Sequence, residues 1–119
     1  MIFISYSWVD SMFAQRIANF LNEQGHQVWI DYQNLDLDEP LEPQLALAIG
    51  AADVFLFISS PHAYSSRWVQ LELCLAKACH KSIQVVHVPF ECCYFVLKIH
   101  KTTEFLISNM LPNNSLRAD

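Results

Sequence analysis

Glycine is scarce in this sequence, and its scarcity excludes one class of ligand site. Two of the 119 residues are glycine, where an average content of about 7% would give about eight. Neither of the phosphate-binding patterns G-x-G-x-x-G and G-x-x-x-x-G-K-[ST] can be written anywhere in the chain. Any nucleotide that this protein binds is therefore held without a glycine-rich phosphate loop.

Basic side chains, long apolar runs and closely spaced cysteines are also lacking. Residues 1–76 contain nine acidic and two basic side chains, so the chain offers no basic stripe for nucleic acid. Its apolar runs fall short of the ~18 residues of a membrane span, and residues 1–10 lack the basic n-region of a signal peptide. The four cysteines form no C-x-x-C pair, which predicts reduced thiols and no metal site. These absences favour a cytoplasmic protein that binds neither membrane nor nucleic acid.

The composition that remains is that of one compact domain. The chain is 53% hydrophobic and 16% charged, which excludes a disordered polypeptide and supplies enough apolar side chains for a core. We therefore assign residues 1–111 to a single domain and residues 112–119 to a C-terminal tail.

Short apolar runs alternate with helical patterns along most of the chain. The apolar runs predict buried strands at residues 2–4, 28–30, 54–58 and 83–88. Between them we predict a helix that Asp10 caps and Gly25 ends, a helix whose latter part is 45–52, and a helix from Ser66 to about His80. Uniformly apolar strands in this alternation are typical of a parallel sheet covered on both faces. We expect an α/β three-layer, flavodoxin-like fold of about five strands in the order 2-1-3-4-5.

The end of the chain departs from this alternation. Residues 94–99 have the pattern of a fifth strand and residues 102–111 that of a closing helix, but residues 89–93 alone separate strands four and five. A parallel crossover needs about a dozen residues or more. Either the last crossover is shortened by the loss of one helix, or the fifth segment is antiparallel or is not a strand.

The third helix carries the most specific local pattern. Ser66 is a good N-cap residue, and Trp68 and Glu72 share one face at i and i+4, beside a buried face of residues 69, 73 and 76. Ligands of parallel sheets bind at the carboxyl ends of the strands, which is the edge where this helix begins. On spacing alone, Glu72 is an ordinary surface carboxylate.

Four short motifs follow one another in the order found in Toll/interleukin-1 receptor/resistance (TIR) domains. They are F-I-S-Y-S at residues 3–7, V-W-I-D at 28–31, A-A-D-V-F-L-F-I-S at 51–59 and S-x-W-x-x-x-E-L at 66–73. The chain from residue 2 to residue 88 therefore resembles a TIR domain. Its compact form is similar to the bacterial members, some of which suppress host signalling or act in antiphage defence.

The resemblance implies an activity and its essential carboxylate. Catalytic TIR domains cleave the nicotinamide–ribose bond of NAD+, and the matching carboxylate here is Glu72. NAD+ is then a substrate, and no cofactor is expected. Nicotinamide leaves as a neutral molecule from a cationic ring, so no general acid is needed, unlike in O-glycoside hydrolysis. One carboxylate can stabilise the oxocarbenium-like transition state or act as the nucleophile.

The resemblance also implies a set of substrate contacts around this carboxylate. The residues concerned are Tyr6, Ser7, Trp8, Asp31, Ser66 and Trp68. Trp68 can stack on the nicotinamide, while Ser66 either orients the ribose or only caps its helix. Trp8 either contacts a base of the substrate or packs in the core.

The acidic segment after the second strand resembles the BB loop, through which TIR domains assemble and gate their sites. The residues expected to serve assembly are Asp36, Asp38, Glu39, Pro40 and Leu41. In this chain Asp38-Glu39-Pro40 replaces the usual Pro-Gly-acid turn, so the loop should be stiffer than its counterparts.

Two functions are compatible with this sequence. The first is an NAD+ glycohydrolase, active in a homotypic TIR–TIR assembly, that yields nicotinamide and ADP-ribose or a cyclic isomer. The second is a non-catalytic scaffold that binds other TIR domains as an adaptor or interferes with host signalling. A sensor module or partner protein would supply the trigger in either case. Retention of Ser66, Trp68 and Glu72 together favours the enzyme.

Overall fold

A parallel sheet of four strands lies at the centre of the computed structural model, which describes residues 1–30 and 34–88. The strands are β1 (Ile2–Ser5), β2 (Val28–Trp29), β3 (Val54–Ser59) and β4 (Ile83–His87). They pair in the order β2-β1-β3-β4, and each neighbouring pair is parallel. The predicted α/β class and the order of the first four strands are confirmed. The fifth strand and closing helix predicted at 94–99 and 102–111 lie outside the described residues.

Helices connect the strands at the predicted places, with two differences. A 3-10 turn, η1 (Trp8–Asp10), leads into α1 (Ser11–Glu23), and α2 (Leu41–Ala51) and α4 (Arg67–Ala78) follow β2 and β3. The first difference is a short helix, α3 (Pro61–Ser65), which the sequence pattern did not indicate. Within the described residues, every helix is too short or too polar to cross a bilayer.

The second difference concerns Leu41, which was predicted to belong to a loop. It is instead the first residue of α2, because Pro40 before it has an extended backbone conformation (φ −55°, ψ 131°) and occupies the N-cap position. Pro43 lies in the first turn, where proline is tolerated because its missing N–H would have no intrahelical acceptor. The helix therefore begins four residues before the apolar segment 45–52 by which it was recognised.

The two faces of the sheet carry different kinds of apolar side chain. Because side chains alternate along a strand, Ile4 and Leu56 point into a mainly aliphatic cluster with α1, and Phe3 and Phe55 into a second cluster with α2 and α4. Phe3 stacks between two rings, with centroid distances of 4.8 Å to Trp29 and 5.4 Å to Phe55. This three-layer arrangement places α4 over the aromatic face.

The helix α1 ends in a Schellman motif built on glycine. Gly25 has a positive φ of 88°, which glycine adopts without the steric cost that a Cβ atom imposes. Its N–H donates to the carbonyl of Asn22 at 3.0 Å, and the next N–H, that of His26, donates to Leu21 at 2.9 Å. These two bonds satisfy carbonyl groups that would otherwise lack an intrahelical partner.

The helix α4 ends in the same motif without a glycine. His80 takes the left-handed position, with φ 57°, and its N–H donates to Lys77 at 3.0 Å while that of Lys81 donates to Ala76 at 2.9 Å. A non-glycine residue in this conformation costs about 1 kcal/mol. The lack of glycine is therefore a small energetic cost at this turn.

Substitutions at the two glycines and at His80 should change the free energy of unfolding in different directions. We expect Gly25→Ala to lower the free energy of unfolding by about 1 kcal/mol, because alanine is disfavoured at positive φ. Gly50→Ala, inside α2 and with no described atom beyond its chain neighbours and its own helix backbone within 4 Å of a new Cβ, should raise it by about 0.5–1 kcal/mol. His80→Gly should raise it by about 0.5 kcal/mol, less than the strain relieved because glycine has greater freedom in the unfolded chain. Urea unfolding of the three variants measures these changes, and equal shifts for the two Gly→Ala changes would contradict the argument.

Candidate active site

The first turn of α4 lies near the carboxyl edge of the sheet and begins at a capped serine. Ser66 has an extended conformation (φ −86°, ψ 119°), and its Oγ accepts a hydrogen bond from the N–H of Val69 at 3.2 Å. The predicted N-cap is therefore confirmed. Since the hydroxyl oxygen accepts in this bond, its own proton remains available for a second partner.

Glu72 is fully buried, contrary to what its spacing alone indicated. Its Oε1 accepts a hydrogen bond of 2.9 Å from the Oγ of Ser5, and neither side chain has measurable exposure to solvent. Ser5 is the last residue of β1, so this bond joins the first strand to α4 across 67 positions of the chain. A buried carboxylate is tolerated only with such hydrogen bonds, because it has lost its solvating water.

The position of Glu72 on its helix explains its burial. Val69, Glu72 and Ala76 are the buried residues of α4, and their spacing of i, i+3 and i+7 is that of one helix face. Leu73, which was predicted for this face, is half-buried instead. The periodicity of residues 69, 72 and 76 was present in the sequence, but a carboxylate within it was assigned to the surface.

Trp68 lies one turn before Glu72, as predicted. It is half-buried and packs against the aromatic cluster that includes Phe3 and Phe55. It lies at the same end of the helix as the cap at Ser66. The structure thus keeps Ser66, Trp68 and Glu72 on two consecutive turns.

The segment after β1 contains the other predicted substrate contacts. Tyr6 and Ser7 are buried, and the Oγ of Ser7 accepts from the N–H of Val9 at 3.4 Å to cap the 3-10 turn. Trp8 is 70% exposed, which is incompatible with the core-packing alternative for this residue. Asp31, the remaining predicted contact, lies outside the described residues.

An apolar groove lies between α1 and the segment that precedes α2. Its volume is about 740 Å³, within the usual range for small-molecule sites. The lining residues are Tyr6, Trp8, Ser11, Met12, Gln15, Arg16, Asn19, Leu35 and Leu37. Two of the predicted substrate contacts, Tyr6 and Trp8, line this groove. Among the described residues that line it, Ser7, Ser66, Trp68 and Glu72 are absent. The groove and the buried carboxylate are therefore separate, and neighbouring residues connect them: Ser5 bonds to Glu72, and Tyr6 lines the groove.

Comparison with known proteins identifies the family of this chain. The model of the family "TIR domain" matches residues 2–106. The chain belongs to the TIR domain family. It is 30% identical over 73 residues to a protein named NAD(+) hydrolase PdTIR from Paracoccus denitrificans (strain Pd 1222). That alignment covers 60% of this chain and 24% of the relative, so the chain matches about a quarter of the relative's length.

In this TIR domain a glutamine side chain organises the acidic segment before α2. Gln44 Nε2 donates to the carbonyls of Asp36 at 2.7 Å, Pro40 at 3.1 Å and Glu39 at 3.3 Å, and its Oε1 accepts from the N–H of Asp36 at 2.8 Å. Asp36 Oδ1 also accepts from the N–H of Asp38 at 3.0 Å. The turn thus holds its shape without glycine. Sequence reasoning missed Gln44, because no local rule indicates that a helix residue bonds back to the preceding loop.

The side chain of Asp10 bonds to a distant serine and not to the first turn of α1, which its position before that helix had indicated. It occupies the N-cap position of α1, but within the described residues its carboxylate makes no capping hydrogen bond. Its Oδ2 instead accepts a hydrogen bond from the Oγ of Ser60, 50 residues later. The expected role of Asp10 as a helix cap is therefore wrong, because a tertiary partner competes for the carboxylate.

The bond between Ser5 and Glu72 generates a stability prediction. We expect Ser5→Ala to lower the free energy of unfolding by about 1–3 kcal/mol, because it removes a donor from a buried carboxylate. Ser82→Ala, which removes an exposed hydroxyl, should change it by less than about 0.5 kcal/mol. Chemical denaturation of both variants provides the measurement, and a Ser5→Ala loss no larger than that of Ser82→Ala would refute the role of this bond.

Proposed function

We propose that this TIR domain hydrolyses NAD+ at the nicotinamide–ribose bond, with Glu72 as the catalytic carboxylate. The observation that carries the proposal is the carboxylate itself, which is withdrawn from solvent and held by Ser5 near the carboxyl edge of a parallel sheet. The relative named NAD(+) hydrolase supports the same reaction. No metal or further cofactor takes part in the proposed chemistry.

The proposed reaction breaks the bond between C1′ of the ribose and the nicotinamide nitrogen. The bonding electron pair leaves with the nicotinamide, and positive charge develops on the ribose ring. A carboxylate in a site of low dielectric constant interacts with that charge far more strongly than it would in water. Water then forms the new C1′–O bond and loses a proton to give ADP-ribose, or a nucleophile of the same molecule gives a cyclic isomer.

We propose that Ser66 and Trp68, on the same helix as Glu72, contact the substrate. Trp68 is a half-buried residue one turn away, and its ring is of a kind that stacks on nicotinamide. The Ser66 hydroxyl would donate its proton to a ribose oxygen while its oxygen caps the helix. We assign Tyr6, Ser7, Trp8 and Asp31 to the rest of the dinucleotide.

Access to Glu72 connects the reaction to assembly. Because this carboxylate is covered in the single chain, the ribose can reach it only if neighbouring groups move. We propose that homotypic TIR–TIR contacts through Asp36, Asp38, Glu39, Pro40 and Leu41 favour the open form. We propose that a sensor module or a partner protein triggers the assembly. We also propose that the activity takes place in the cytoplasm and serves immune or antiphage defence signalling.

An exposed apolar patch supports such contacts. Trp8, Val9, Met12 and Leu37 are each between 68% and 78% exposed, and all but Val9 line the groove. A contiguous group of large apolar side chains on a surface marks an interaction site. The same patch is the specific observation that favours the second candidate, a non-catalytic scaffold in which Glu72 is a buried structural carboxylate.

Replacement of Glu72 separates these two functions. We expect Glu72→Gln to slow nicotinamide release from NAD+ by at least about 100-fold, because the amide keeps an acceptor for Ser5 but lacks the charge. Glu23→Gln, which neutralises an exposed carboxylate on α1, should leave the rate unchanged. Release is followed by chromatography at high protein concentration, with the fold checked by circular dichroism. Equal, measurable rates for wild type and Glu72→Gln would exclude the catalytic role of Glu72, and no release from either protein would favour the scaffold.

Replacement of Leu37 tests the assembly surface. Leu37 and Leu47 are 78% and 77% exposed, and they lie on the acidic segment and on α2. We expect Leu37→Ser to raise the dissociation constant of self-association about tenfold, which is the loss of roughly 1.4 kcal/mol of apolar burial. Leu47→Ser is the matched control and should leave self-association unchanged. Sedimentation velocity over a concentration series measures both, and equal shifts would argue against a role for the acidic segment.

A further inference from the structure

The segment between β1 and α1 is attached at both of its ends to the same distant part of the chain. At its start, Ser5 donates to Glu72 on α4 at 2.9 Å. At its end, Asp10 accepts from Ser60, which immediately precedes α3. Between these two anchors lie residues 6–9, which include Ser7 and the exposed Trp8.

Ser60 takes part in two hydrogen bonds at once. Its Oγ accepts from the N–H of Ala63 at 3.1 Å and so caps α3, while its proton goes to Oδ2 of Asp10. A hydroxyl can serve in both ways because it has one proton and two lone pairs. The Asp10 anchor, like the Ser5 anchor, is a hydrogen bond from a serine hydroxyl to a carboxyl oxygen.

The two distant partners, Ser60 and Glu72, belong to one continuous stretch of chain that contains α3 and α4. The last strand residue before it, Ser59, bonds through Oγ to Tyr64 Oη of α3 at 3.0 Å. Ser66 is the C-cap residue of α3 and the N-cap residue of α4, so no loop separates the two helices. Displacement of α3 or α4 would therefore act on both ends of the segment 6–9.

We propose that Asp10 is a positioning residue, which together with Ser60 fixes the segment 6–9 relative to the helix that carries Trp68 and Glu72. We call the Asp10–Ser60 and Ser5–Glu72 bonds together the two-point clamp. In this clamp Oδ2 of Asp10 accepts from Ser60, whereas within the described residues its carboxylate makes no capping bond to α1. That the segment then contacts NAD+ rests on the function proposed above, whereas the clamp itself does not.

Amide hydrogen exchange tests the clamp without any enzymatic activity. The N–H groups of Val9 and Asp10 are useful reporters, because both donate to Ser7, to its Oγ and its carbonyl oxygen respectively. We expect Asp10→Ala and Ser60→Ala each to speed exchange of these amides about tenfold or more. The double variant should exchange within about twofold of Ser60→Ala, because both changes remove the same Asp10–Ser60 bond and Ser60→Ala alone also removes the cap of α3.

Conservative variants and matched controls complete the exchange experiment. Asp10→Asn keeps an oxygen that accepts from Ser60 and should restore most of the protection. Glu23→Ala removes an exposed carboxylate from α1, and Ser65→Ala removes an exposed hydroxyl from α3; both should exchange like wild type. Effects that add in the double variant, or that spread equally to the amides of β3, would overturn the clamp.

Steady-state kinetics tests what the clamp does for the substrate. We expect Asp10→Ala to raise the KM for NAD+ several-fold and leave kcat within about twofold, because a loosened segment weakens binding of ground and transition states alike. Asp10→Asn should return KM toward the wild-type value. An unchanged KM together with faster exchange would overturn the positioning role. A wild-type protein that releases no nicotinamide would refute the proposed function, while the exchange data would still decide the clamp.

Discussion

The hydrogen bond between Ser5 and Glu72 is the constraint on which the rest of this structure depends. It joins the end of the first strand to the middle of α4 inside a region without solvent. Because a buried carboxylate without a donor is strongly disfavoured, α4 is held in one position over the aromatic face of the sheet. The cap at Ser66 and the ring of Trp68 take their places from that position. Geometry at the candidate site is thus set by a polar contact within an otherwise apolar layer.

Much of the fold followed from local pattern. Apolar runs predicted the four described strands, although β2 and most of β4 are half-buried rather than buried. The caps at Ser66 and Gly25 marked helix ends that the structure confirms. Strand runs and helix caps depend on residues that are close in the sequence, so the spacing of those residues is enough to predict them. The order of the first four strands was also predicted correctly, since parallel α/β sheets permit few alternatives.

The features that were missed depend on partners far away in the sequence. The carboxylate of Asp10 bonds to Ser60 rather than to its own helix, and Glu72 occupies a buried face because Ser5 meets it there. A helix pattern cannot show which strand it will cover, so a charged residue at such a position is assigned to solvent. The helix α3 was missed for a related reason, since its five residues are too few to show a helical period.

Scarcity of glycine is met in two ways, with different chemical consequences. At the end of α4, His80 adopts the left-handed backbone conformation that glycine would adopt without strain. Before α2, one amide group holds the turn by donating to the carbonyls of three residues. Hydrolysis of that amide to a carboxylate would replace the donor by an acceptor and add a negative charge beside Asp36. Spontaneous deamidation of Gln44 is therefore a covalent ageing reaction to which the shape of this turn is exposed.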